Sequence, residues 1–137
     1  METFYLNEDI KVMYVTATSF PDGVEDAHKK LHNMLAFDEK RRYFGISRPD
    51  GKSIVYKAAA EELNPGEAEI LGFETLTIKK GNFISAYISD FMKDIPQIGK
   101  TFEKLLANPA VDPNGYCLEM YIENKDVRCM VPLKNSE

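Results

Sequence analysis

The feature that most constrains this chain is that one order of elements is legible in its first half and again in its second. Residues 11–20 (KVMYVTATSF) are rich in β-branched and aromatic side chains without a breaker, and read as a strand ended by Pro21-Asp22-Gly23. A helix is expected next, because Val24, Ala27, Leu31, Met34 and Leu35 recur at helical spacing, with Glu25/Lys29 and Asp26/Lys30 placed as i,i+4 pairs. Residues 42–48 and 53–60, separated by Pro49-Asp50-Gly51, then read as a hairpin. The order recurs from residues 82–91 (NFISAYISDF), which match residues 11–20 in character without a gap. Asp94 and Gln97 suit a capping box, Pro96 a first-turn position, and Ile95, Ile98, Phe102, Leu105 and Leu106 a buried stripe. Residues 116–123 and 126–133 give a second hairpin turning at Asn124-Lys125, with Tyr43 aligned on Tyr116.

Between the halves, residues 61–72 are acidic and hold Pro65-Gly66, as a surface connection should, and residues 73–79 (FETLTIK) alternate as an additional strand. One unit of two or three strands and a helix leaves half its sheet exposed, so two units must pair to gain a core. The expectation is a single α+β domain over residues 1–137, with pseudo-repeats at about 10–60 and 73–133. Its duplicated β-α-β-β units form an antiparallel sheet, with two main helices packed on one face and a ligand cleft on the other.

A chain of 137 residues buries roughly 65–70% of the surface its unfolded form exposes, so neither disulfide nor metal is required for stability. The formal charge of −5 lacks the Lys/Arg excess of a phosphate-neutralising surface, which argues against direct nucleic-acid binding. Residues 1–9 are acidic where a secretory signal would be basic and apolar, and no apolar run reaches membrane-spanning length, so a cytoplasmic protein without membrane contact is expected. His28 and His32 have the i,i+4 spacing of zinc ligands, but no third ligand accompanies them, and they read as part of a solvated helix face. No phosphate loop, nucleophile elbow or Ser/His/Asp order is present, and no cofactor or metal is expected.

Side chains alternate between the two faces of a strand, and across a two-residue turn an even-numbered position in this hairpin pairs with an odd one. That parity puts Leu118, Met120, Ile122, Val127, Cys129 and Val131 on an apolar face under the helices, and Cys117, Glu119, Tyr121, Arg128 and Met130 on the other. Cys117 and Cys129 then lie on opposite faces, and no disulfide is expected. Glu119 is the only carboxylate within the strand proper. Two readings of its face stay open. It is either a solvated surface where Glu119 pairs with Arg128, contributing at most about 1 kcal/mol, or a cavity wall favouring a flat lipophilic cation.

The same segments resemble the GyrI-like family of small-molecule-binding domains. Tyr43-Phe44-Gly45-Ile46 looks like its aromatic-Gly segment, and Ile54-Val55-Tyr56-Lys57-Ala58-Ala59 like the partner strand. The run from Thr77 to Phe83 resembles the family's Ile-Pro-x-Gly-x-Tyr turn, with lysine at the proline position and Phe83 for the common tyrosine. Residues 98–106 stand where the family has its second helix, and Cys117-Leu118-Glu119-Met120-Tyr121 resembles its terminal E-x-Y strand. The likeness spans roughly residues 11–133 and rests on the order of short motifs.

The resemblance implies an aromatic pocket between two pseudo-symmetric halves, with a buried glutamate that attracts lipophilic cations, and Glu119 matches that glutamate. Longer relatives carry a helix-turn-helix module and couple drug binding to transcription, and with the first strand starting by about Lys11 no room for such a module is expected here. Tyr121, Phe44, Tyr43, Tyr56 and Tyr14 join Glu119 as candidate ligand-binding residues, with Tyr87 a further ring and Phe20, Phe91 and Phe102 expected in the core. Tyr43 and Tyr56 enter only through the family, because the repeat alignment puts them on the helix-packed face. Some members are understood to hydrolyse strained electrophilic drugs, for which Glu119 with Tyr121 or Tyr43 would serve, and others inhibit gyrase. Binding without catalysis is the expected activity, hydrolysis and gyrase binding are the alternatives, and a homodimer is left open.

Overall fold

Alternating burial along the strands, more than any single contact, sets the architecture. The structure, a computed structural model, describes residues 1–134. It is an α+β fold in which one antiparallel sheet of eight strands carries three helices. The strands are β1 (Glu2–Leu6), β2 (Ile10–Thr16), β3 (Tyr43–Asp50), β4 (Ser53–Glu61), β5 (Glu74–Ile78), β6 (Gly81–Ile88), β7 (Cys117–Ile122) and β8 (Asp126–Pro132). The helices are α1 (Val24–Met34), the short α2 (Glu67–Leu71) and α3 (Pro96–Leu106), with one 3-10 turn at Phe91–Lys93. In space the strands run β1-β6-β8-β7-β3-β4-β2-β5.

The sheet is curled. Its edges β1 and β5 stand at opposite ends of the strand order, yet Leu6 and Ile78 join one cluster with Val12, Phe44, Phe83, Leu118 and Met130. Only a sheet that bends towards itself brings both edges onto one apolar lining, and this lining is the concave face. The convex face carries the helices. Ala27 and Leu31 of α1 pack on Met13, Tyr56, Ala58 and Ala60, while Phe102 and Leu105 of α3 pack on Ile84, Val127, Cys129 and Val131. Leu31 and Leu105 are fully buried, as their helical stripes predict. Pro96 takes the first helical position of α3, but Asp94 makes no side-chain cap: Ile95 is the capping residue.

Two elements go beyond the sequence expectation. Residues 2–6 form β1 against β6, with Phe4 and Leu6 turned inward, and residues 67–71 of the supposed surface connection form α2. α2 is tied down where Arg41, itself buried, makes paired hydrogen bonds of 2.8 and 2.9 Å to the Glu67 carboxylate and one of 2.7 Å to the Glu61 carbonyl.

The parity expected for the second hairpin is corrected. Ile122 pairs with Asp126, leaving a three-residue loop in which Glu123 and Asn124 have φ of 55° and 57°. The extra residue makes even positions face even ones, Leu118 opposite Met130 and Glu119 opposite Cys129. Cys117, Glu119, Tyr121, Val127, Cys129 and Val131 therefore share the helix-covered face, whereas Leu118, Met120 and Met130 line the concave one. Cys117 and Cys129 lie on the same face, not opposite ones. Arg128 points away from Glu119, with its guanidinium 4.8 Å from the Phe4 ring and 5.4 Å from the Tyr87 ring, and pairs with Glu2 at 2.9 Å. The ion pair between Glu119 and Arg128 does not form, and the free face opposite the helices, expected to hold Glu119, does not hold it.

Candidate functional site

The centre of the sheet, where β7 meets β3, places Glu119 directly across from Gly45. A side chain at Gly45 would occupy the space now filled by its neighbours: a Cβ there would lie 2.1 Å from the Tyr56 hydroxyl oxygen and 2.8 Å from Glu119 Oε1. Glycine therefore opens a gap in the middle strand of three. Through it Tyr56, on β4, reaches over β3 to donate to Glu119 Oε1 at 3.2 Å. Tyr121, two residues along β7 and on the same face, donates to the same oxygen, and the two phenol oxygens are 3.1 Å apart. From above, His28 on α1 brings Nε2 to 2.8 Å from the Tyr56 oxygen. If Tyr56 gives its one proton to Glu119, His28 must hold its own on Nε2 and donate it to Tyr56.

Aromatic rings enclose this group. The His28 ring stands 5.4 Å from Tyr121 and 5.7 Å from Tyr56, both edge-on. Phe20 stacks on Tyr56 at 6.0 Å, and Phe91 packs against Tyr121 at 5.6 Å. Tyr121 touches both the cluster under α1 and that under α3, so the group lies where the two helix-covered regions meet. Glu119 is surrounded by protein yet keeps some accessible surface, and its Oε2 accepts no hydrogen bond among the described residues.

No lysine or arginine pairs with Glu119 among the described residues. Burial raises its pKa, and the hydrogen bonds from Tyr121 and Tyr56 only partly oppose that rise. Burial and the neighbouring carboxylate raise Tyr56 and Tyr121 well above the ordinary phenol range, so both stay protonated donors. Burial, with a smaller contribution from His32, lowers His28 to about 4, and its imidazole is neutral near pH 7. The site thus holds one carboxylate, three polar neighbours that cannot neutralise it, and apolar walls. No group of three His, Cys, Asp or Glu among the described residues is arranged to hold a metal.

Of the six expected site residues, the structure brings Glu119, Tyr121 and Tyr56 together. Tyr43 shares their face and stands opposite Tyr121 in the ladder, but its hydroxyl accepts the Asp38 N–H at 3.3 Å and its ring packs on Phe37 and His32. Phe44 and Tyr14 line the concave face and cannot reach Glu119. Tyr87 is exposed and bonds to Asp126. His28, Gly45, Phe20 and Phe91 were not expected at the site. His28 is the instructive one, because positions 24, 28, 31 and 35 form a helical stripe as regular as the one through Ala27, and the flanking lysines conceal it.

Two concavities lie elsewhere. One of about 560 Å³ is bounded by residues 16–20 and 52–55, beside Phe20, and one of about 510 Å³ opens on the concave face.

No family model matches the chain, and no curated protein sequence matches it. Several solved structures share its fold. An integron cassette protein from the mobile metagenome of Vibrio cholerae superposes with a TM-score of 0.72 at 12% identity, over 97% of this chain and 95% of that one. A hydrolase from Listeria innocua superposes with a TM-score of 0.56 at 8% identity, over 97% of this chain and 90% of that one. These identities define a fold class, the curled antiparallel sheet with helices on its convex side. That fold is suited to a ligand cleft.

Proposed function

We propose that this chain binds small lipophilic cations, aromatic ones above all, at Glu119, in a sensing or sequestering role. The observation that carries the reading is a buried carboxylate without a cationic partner, set among aromatic rings. A carboxylate in such a place is costly unless a positive charge reaches it, and a flat cation supplies charge to Oε2 and π contact to Tyr56, Tyr121 and His28 together. The concavity beside Phe20 gives that ring room to turn off Tyr56 and admit the ligand. In this reading β2-α1-β3-β4 and β6-α3-β7-β8 are the two copies of a GyrI-like unit, and the ladder between β3 and β7 is their junction.

The test is a fluorescence titration with N-methylacridinium beside acridine, which has nearly the same shape and is uncharged at mildly alkaline pH. Glu119→Gln should weaken the cation by about tenfold or more, the worth of one desolvated charge contact, and leave acridine within about twofold. Equal losses would remove Glu119 from the ligand site, and no binding of either dye would remove the reading.

One observation favours hydrolysis as a second reading: Glu119 holds two phenol donors on Oε1 and leaves Oε2 for a water. There the carboxylate would take a proton as the water oxygen attacks a strained ring carbon, and the departing atom would be protonated by the carboxyl so formed. Turnover of an epoxide or activated cyclopropane, lost in Glu119→Gln, would select this reading.

A further inference from the structure

On the concave side, away from Glu119, the cavity of about 510 Å³ lies between the ends of β3, β4 and β5. Its apolar wall is Ile46, Val55 and Leu76, continuous with the cluster that lines the inside of the sheet. Two cations stand over that wall. Arg48 is held only by a long contact of 3.4 Å from Nη2 to the Asn114 carbonyl, and Lys57 places Nζ 4.9 Å from the centre of the Tyr14 ring. Neither forms an ion pair among the described residues.

A third polar group belongs to the same rim. Tyr116 lines the cavity, and its hydroxyl has no hydrogen-bond partner among the described residues. Burial pushes that phenol up to about 12 while the nearby Arg48 charge pulls it down, so the hydroxyl stays a donor beside the guanidinium. Asp50 is the only carboxylate on the lining and leaves the rim net positive. Other cations of this chain are paired with acids, as are Lys11 with Glu62, Lys29 with Glu25 and Arg42 with Glu61. Arg48, Lys57 and Tyr116 line one apolar wall together, and neither cation pairs with Asp50, its one acid.

We propose that this cavity is a second binding site, for a small amphipathic anion: a flat apolar body bearing one carboxylate or sulfonate. The volume lies within the range of roughly 300–1,000 Å³ typical of small-molecule pockets. Arg48 presents a planar fork suited to two anionic oxygens, Lys57 adds a second charge, Tyr116 donates a hydrogen bond, and Ile46, Val55 and Leu76 take the ring. The proposal does not rest on the cation site, since the two are on opposite faces of the sheet.

Calorimetric titration with 2-naphthoate, and with 2-naphthylmethanol as its uncharged counterpart, tests it. The wild-type chain should bind the carboxylate, and Lys57→Met and Arg48→Met should each weaken it about tenfold, the loss of one charge-assisted contact. The alcohol should bind more weakly and be indifferent to both substitutions, and Glu119→Gln should leave 2-naphthoate within about twofold. Both cations stand at the rim of the cavity, so their variants should keep the wild-type melting temperature. Absence of 2-naphthoate binding would overturn the proposal. So would full affinity in both methionine variants, or loss of affinity in Glu119→Gln.

Discussion

Two carboxyl groups of this chain, Glu67 near the surface and Glu119 enclosed among aromatic rings, are treated in opposite ways. Glu67 meets Arg41 in a two-pronged ion pair and also accepts the Leu63 N–H at 3.1 Å, and the Arg41 contact above all holds its pKa down at about 2. Glu119 has no cation, and burial moves its pKa in the other direction. The first group is electrostatically complete and belongs to the scaffold, where it fastens α2 to the start of β3. The second is incomplete, and what would complete it must come from outside the chain. What separates the two is the presence or absence of an internal counter-charge, together with the deeper enclosure of Glu119.

The largest effect is expected at the completed pair. Arg41→Ala removes three hydrogen bonds and a buried stem and strands Glu67 near the protein surface, at a cost of about 3 kcal/mol. Urea unfolding should show a lowered midpoint with an unchanged slope. Retained stability would mean that the pair is dispensable and the contrast with Glu119 weaker than drawn. A smaller loss, about 2 kcal/mol by overpacking, is expected for Gly45→Ala, whose methyl would overlap the Tyr56 hydroxyl and crowd Oε1. The same variant should lose N-methylacridinium binding, whereas Arg41→Ala should retain it below its own melting temperature.

The contrast between the two carboxyl groups also marks what was legible in the residues. α1 and α3 follow from stripes such as Val24, Ala27 and Leu31, and the hairpin strands from runs of alternating β-formers. β1 was open to the same reading, since Phe4 and Leu6 alternate with Thr3 and Tyr5, but five residues at a terminus carry a weak periodic signal. The face of Glu119 was not legible. It depends on whether two or three residues make the last turn, and Glu123 adopts φ of 55° without being glycine or asparagine, so nothing local announces it. Because the side-chain period is two, that single residue moved Glu119, Tyr121 and Cys117 to the helix side, where Cys129 was already expected. It also joined Glu119 to Tyr56, which lies beneath α1. Phe44 and Tyr14 went to the far face by the same alternation.

The mildest test sets the pH responses of the two acids against each other. Glu67 ionises in the folded chain well below the ordinary carboxyl value of 4.5, so its contribution is complete above that value and is lost as pH falls towards about 2. Glu119 is the reverse. Both states of the chain hold its proton in strong acid, but as pH rises past 4.5 the unfolded chain releases that proton first, and folding is weakened until the folded carboxyl also ionises. Glu119→Gln should therefore be more stable than wild type near pH 8 and lose part of this advantage near pH 4.5, whereas Glu67→Gln should be less stable at pH 8 and approach wild type near pH 2. Urea midpoints across that range check both signs. A Glu119→Gln variant less stable than wild type at pH 8 would show that the two phenols and His28 satisfy the carboxylate by themselves, and would take away the physical reason for a cation to bind there.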